Sequence, residues 1–181
     1  MRIFALAMAF VMAFAVPAFA QQQGFAQNVQ LTDGSKPVTN NPIIHEDGRI
    51  GNLAEYRGEV LIVIMWQVHC PFCRREMPVL DRLAAEMGNE GIRVVPLGLD
   101  ENFDEIKAHL ARMNWPNLKP IQDVDMLNGL IMSVEHFGRL GVATPTSFIV
   151  GKDGKVVATV LGLVDWDGDP ARNYLRSLAA S

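Results

Sequence analysis

Residues 60–78 read VLIVIMWQVHCPFCRREMP and contain both cysteines of the 181-residue chain. The first seven, Val60 to Trp66, form an unbroken run of β-branched and large apolar residues. A run so short and so uniformly apolar predicts a strand covered on both faces, at the centre of a sheet. From Pro71 the period changes. Met77, Leu80, Leu83-Ala84 and Met87 recur three and four apart, the apolar stripe of a helix ending near Gly88. Cys70 therefore falls just after the strand, and Cys73 falls in the first helical turn. There the unsatisfied N–H groups and the positive end of the helix dipole favour a thiolate at Cys70, while Cys73 faces inward within reach of it. Such a pair supports exchange through a mixed disulfide: the outer sulfur attacks, the inner one resolves.

Working outward, Ile92 to Leu99 reads as the next strand, with Pro96 arguing for an irregular or edge position. Asn102 or Asp104 opens a helix through about Met113. Lys119 to Gln122 reads as a short strand and Met126 to Phe137 as a helix. Thr146 to Val150 and Lys155 to Val160 form a hairpin across Gly151-Lys152-Asp153-Gly154. Asp169 as N-cap and Pro170 at the first helical position start a closing helix through Leu178. On the other side, Ile43-Ile44, Glu46-Asp47-Gly48 and Arg49-Ile50 predict a small hairpin, followed by a turn at Leu53 to Tyr56. Strand–helix alternation followed by a hairpin predicts one α/β domain over 42–181: a central mixed sheet flanked by helices, with an added N-terminal β-hairpin.

Residues 21–41, rich in Gln, Asn, Gly, Ser and Thr, read as a flexible spacer. Residues 1–20 read as a signal peptide. Met1-Arg2 gives a positive start, Ile3 to Val16 an apolar centre, and Ala18 and Ala20 a small-x-small ending, with cutting after Ala20. An uncleaved anchor is the alternative, since Ile3 to Ala20 approaches the ~20 apolar residues that span a bilayer; membrane contact is expected only in that case. A periplasmic or otherwise exported location follows. At 49% hydrophobic, 20% charged and net charge −4, with no block of like charges, the chain offers neither a nucleic-acid face nor a polybasic membrane patch.

Exported proteins occupy oxidising compartments, where cysteines commonly bridge distant segments. A bridge across three residues constrains little chain entropy, so chemistry explains this pair better than stapling. A structural zinc site needs about four ligands, and no second Cys or His pair stands at suitable spacing, so no metal is assigned. Arg74 stands where c-type haem attachment needs histidine. Two alternatives to disulfide exchange remain: a Cu(I)-handling thiol protein using Cys70, Cys73 and His69, and a non-catalytic redox-sensing module.

The combined residues resemble a family. Val60 to Trp66, Cys-x-x-Cys, Pro78 five residues beyond Cys73, and Ala143-Thr144-Pro145-Thr146-Ser147-Phe148 before a hairpin are similar to the thioredoxin fold. Trp66, Cys70, Cys73, Glu76 and Pro78 match the pattern of exported TlpA/ResA-like thiol-disulfide reductases. His69-Cys70-Pro71-Phe72-Cys73 and Val142 to Thr146 also resemble periplasmic disulfide isomerases of the conjugation-plasmid type. The resemblance implies an exported oxidoreductase that reduces or isomerises protein disulfides. It needs no organic cofactor beyond the redox-active Cys70–Cys73 pair and is reloaded by a membrane-bound electron donor. It also implies that Glu76 manages the proton of Cys73, and that Pro145 is cis beside the cysteines with the Thr144 backbone meeting an extended substrate. His69, if charged, would stabilise the Cys70 thiolate. Ile64 stands where thioredoxin has a buried aspartate, and Phe72 where it has proline, which leaves the redox direction open.

Overall fold

The computed structural model describes Phe25 and residues 27–181; the expected signal peptide, 1–20, lies outside the described residues. Val60–Trp66 forms strand β4, and every one of its residues is buried. Successive strand side chains point to opposite faces. Val60, Ile62, Ile64 and Trp66 accordingly join one core cluster, and Leu61, Val63 and Met65 join the other.

Around β4 the described strands are β1 (Val29–Leu31), β2 (Ile43–His45), β3 (Ile50–Gly51), β5 (Ile92–Gly98), β6 (Ile121–Asp123), β7 (Thr146–Val150) and β8 (Val156–Leu161). They make one sheet in the order β1-β8-β7-β4-β5-β6-β2-β3. β4 is parallel to β5 and antiparallel to β7, so the sheet is mixed. The helices are α1 (Pro71–Met87), α2 (Phe103–Met113), α3 (Leu127–Phe137) and α4 (Asp169–Ala180). Leu80 and Leu83 of α1, Ile106 and Leu110 of α2, and Ala171 and Leu175 of α4 fill the first cluster. Met132 of α3 packs into the second, with Ile43, Leu53 and Phe148.

The predicted N-terminal hairpin is β2–β3, and β2 also pairs with β6, extending the sheet. Two local readings shift. β5 lies inside the sheet rather than at its edge; Pro96 comes just before Leu97 and Gly98, the two residues paired with β6, so its missing donor falls where β5 has a strand partner on one side only. Gly168, not Asp169, is the N-cap of α4, which moves Pro170 to the second helical position, still within the turn that needs no N–H donor. Helix α1 runs through Pro78 as the apolar stripe predicts, the proline ring leaving the Arg74 carbonyl without its usual helical donor.

The larger correction concerns residues 21–41. Val29–Leu31 adds an edge strand to β8, Pro37 bridges to Lys155, and Phe25 and Val38 are buried. The folded domain therefore starts well before Pro42. A three-residue edge strand carries almost no periodic signal, and its backbone donors and acceptors are satisfied only by β8, more than 120 positions away in sequence.

Candidate active site

Strand β4 delivers Cys70 to the start of α1. Cys70 is the helix N-cap, with its backbone extended and its sulfur accepting the Cys73 backbone N–H at 3.1 Å. A helical N–H held on that sulfur is the interaction that stabilises a thiolate there. The two cysteines are joined as a disulfide. Cys73 is fully buried and Cys70 keeps 9% of its surface exposed. It reaches solvent through a depression of about 290 Å³ lined by Gln67, His69, Pro71, Phe72, Asp100 and Thr144.

The Thr144–Pro145 peptide is cis. The Thr144 carbonyl oxygen lies 3.5 Å from Cys70 Sγ, a contact rather than a hydrogen bond while the sulfur carries no hydrogen. The Thr144 hydroxyl donates across the depression to Gln67 Oε1 at 3.4 Å, and the Pro145 carbonyl accepts from Gly162 N–H. Two residues 74 positions apart thus meet over one sulfur.

Glu76, one turn after Cys73, is only 3% exposed. Trp166 Nε1 donates to Glu76 Oε1 at 2.7 Å, while Oε2 has no hydrogen-bond partner. Burial pushes its carboxyl up to about 7; the Trp166 hydrogen bond and the nearby Val164 backbone N–H pull the other way. Near neutral pH both forms of this acid are populated.

His69 lines the Cys70 depression, but its ring is 87% exposed and Nε2 sits 3.3 Å from Glu105 Oε1. An exposed pair of this kind contributes little, and among the described residues His69's one charged partner at this distance is Glu105.

Two residues beyond those expected belong to the same neighbourhood. Asp100, at the end of β5, accepts the Val68 N–H at 3.0 Å and so ties down the segment leading to Cys70; burial pushes its carboxyl upward, Glu105 adds to that, and the Val68 bond opposes it. Trp166 is the other. An acidic residue just past an apolar strand and a lone tryptophan before a helix are unremarkable in sequence, which is why neither stood out. Among the described residues, no three His, Cys, Asp or Glu side chains group as a metal site.

The AhpC/TSA family matches residues 15–159. The chain belongs to that family. Within it, the chain is 28% identical over 145 residues to the thiol-disulfide oxidoreductase ResA of Bacillus thuringiensis (strain Al Hakam), covering 80% of this chain and 79% of that one. It is 30% identical over 143 residues to the thiol:disulfide interchange protein DsbE of Pseudomonas fluorescens biotype C, covering 76% and 72%. In three dimensions it is similar to the crystal structure of a DsbE-type thiol:disulfide interchange protein from Chlorobium tepidum, with a TM-score of 0.66, 22% identity, and coverage of 84% of this chain and 100% of that one. The family relatives and the Cys70–Cys73 pair together make this protein a thiol-disulfide oxidoreductase of thioredoxin-like fold.

Proposed function

We propose that the protein is exported and reduces or isomerises disulfides of other proteins, with Cys70 as nucleophile, Cys73 as resolving thiol and Glu76 as the group that moves the Cys73 proton. The observation that carries this is the sulfur of Cys70 on a helical N–H, at the floor of an open depression, with Cys73 sealed behind it.

In the reducing direction, the Cys70 thiolate attacks one sulfur of a partner disulfide. The Cys70–partner bond forms, the partner's own S–S bond breaks, and the departing thiolate takes a proton. Cys73 then gives its proton to the Glu76 carboxylate and attacks Cys70 Sγ. The Cys70–Cys73 bond forms, the partner leaves as its second thiolate, and that sulfur takes a proton in turn. The partner gains two electrons and the enzyme pair loses two. Isomerisation uses the first step, with the partner's own thiol resolving the intermediate. Thr144 and Pro145, over the attacking sulfur, would hold the partner's extended backbone. A membrane-bound donor would reduce the pair for the next cycle, and the Met1–Ala20 pattern supports export to the donor's outer side.

Replacing Cys70 with Ser should reduce insulin-reducing activity to background. Replacing Cys73 with Ser should instead accumulate mixed disulfide through Cys70, seen by non-reducing electrophoresis and mass spectrometry. Retained activity in the Cys70 variant would overturn the assignment.

A further inference from the structure

We propose that Trp166 is a positioning residue for Glu76: its indole N–H claims Oε1 and leaves Oε2 as the atom that takes and returns the proton. The inference rests on the proton-handling role given to Glu76 above and adds how that role is made possible.

The geometry is specific. Trp166 comes from the loop between β8 and α4, 90 positions from Glu76, and is fully buried, yet its one polar atom meets Oε1 at 2.7 Å. An indole N–H only donates, so a proton cannot sit on Oε1 in the direction of that bond without losing it. The proton of the neutral acid therefore sits on Oε2, which is buried and unpartnered. Glu76 also lines a surface depression of about 360 Å³ with Arg75, Val79, Leu163, Val164 and Asp165, a way for that proton to reach water. Arg75 and Asp165, of opposite charge, line the mouth with Val164, whose backbone N–H also lies near the carboxyl, and Cys73 lies one turn back on α1.

A buried carboxyl without a donor is held neutral and cannot accept the Cys73 proton. One N–H offsets part of that penalty, so the acid stays convertible. Phe25 completes the arrangement. Its ring packs edge-on to Trp166, with centroids 6.1 Å apart, and against Tyr174 at 5.8 Å. Phe25 thereby packs against the indole that holds Glu76.

The test is a carbon-13 titration of the Glu76 side-chain carboxyl in the oxidised protein, where neither cysteine titrates, beside the pH profile of disulfide reduction. Wild type should titrate near 7. Trp166→Phe, which keeps an aromatic ring and removes the donor, should move the Glu76 midpoint up by about one unit. It should move the limb of the activity profile likewise, and in a Glu76→Gln background Trp166→Phe should move no limb. A folded Trp166→Phe protein with an unmoved Glu76 midpoint overturns the proposal. A wild-type Glu76 titrating in the ordinary carboxylate range, or a Glu76→Gln enzyme with an unchanged pH profile, instead overturns the role of Glu76 itself. If Phe unfolds the protein, a benzothienyl analogue placed at 166 keeps the bicyclic shape without the N–H, and the same criteria apply.

Discussion

Two carboxyls are buried in this molecule to nearly the same depth, Glu76 at 3% exposure on one side of the sheet and Asp123 at 2% at the end of β6. Burial pushes both upward. Their surroundings differ. Asp123 Oδ1 accepts from the backbone N–H and the side-chain amide of Asn128, and Oδ2 accepts from the Gly129 N–H, so both oxygens are satisfied. The Asn128 side chain continues the network to the Thr39 hydroxyl and the Asn41 and Pro42 carbonyls. That carboxylate starts α3 and fastens the N-terminal segment to it. Glu76 has one donor and one orphaned oxygen. The two share burial, so what sets the proposed proton carrier apart is its incomplete set of partners.

The comparison can be broken or sharpened at three sites. Asp123→Ala strands three N–H groups at once and should lower stability by about 4 kcal/mol, read by denaturant melts. Its disulfide-reductase activity, measured well below its melting temperature, should stay within about twofold of wild type. A large loss of activity with intact fold would place Asp123 in the chemistry and erase the contrast.

Glu76→Gln should do the reverse. Activity should fall about 10²-fold, while stability at pH 8 rises. The sign follows from the raised carboxyl. The folded protein holds this proton more tightly than the unfolded chain, so the Glu76 contribution is fully present below the ordinary value of 4.5 and is lost as pH rises to about 7. The glutamine variant lacks that decline and should gain up to about 3 kcal/mol on wild type at pH 8 relative to pH 4. Parallel stability–pH curves for the two proteins would contradict it.

The smallest effect is expected at Thr39→Val, which removes only the hydroxyl bonded to Asn128 and should cost about 1 kcal/mol. A loss several times larger would mean that the N-terminal segment depends on the network more than on its own strand pairing.

The same two regions show what a sequence can and cannot disclose. The apolar run of β4, the stripe of α1 and the placement of Cys70 and Cys73 were legible because each is a local pattern: an unbroken apolar run, a 3.6-residue stripe and the junction between them. Glu76 stood out only through the family resemblance carried by Trp66, Cys70, Cys73 and Pro78. Its partner did not: Trp166 lies 90 positions away, and nothing local distinguishes an indole that packs from one that also donates to a buried acid. Asp123 and Asn128 escaped notice for the same reason. Residues 29–31 looked like spacer because the strand Val-Gln-Leu is defined by β8 and not by its own composition. Long-range pairing, which fixes hydrogen-bond partners and thereby acidity, is the part that one-dimensional patterns carry least.

The most direct test of the whole account is alkylation of the reduced protein as a function of pH, with each cysteine followed by mass spectrometry. Cys70 should react first and alone, with a midpoint below the free-thiol value of about 8.5, and Cys73 should resist until the protein unfolds. Preferential labelling of Cys73, or a Cys70 midpoint no lower than that of a free thiol, would contradict the assignment of attacker and resolver.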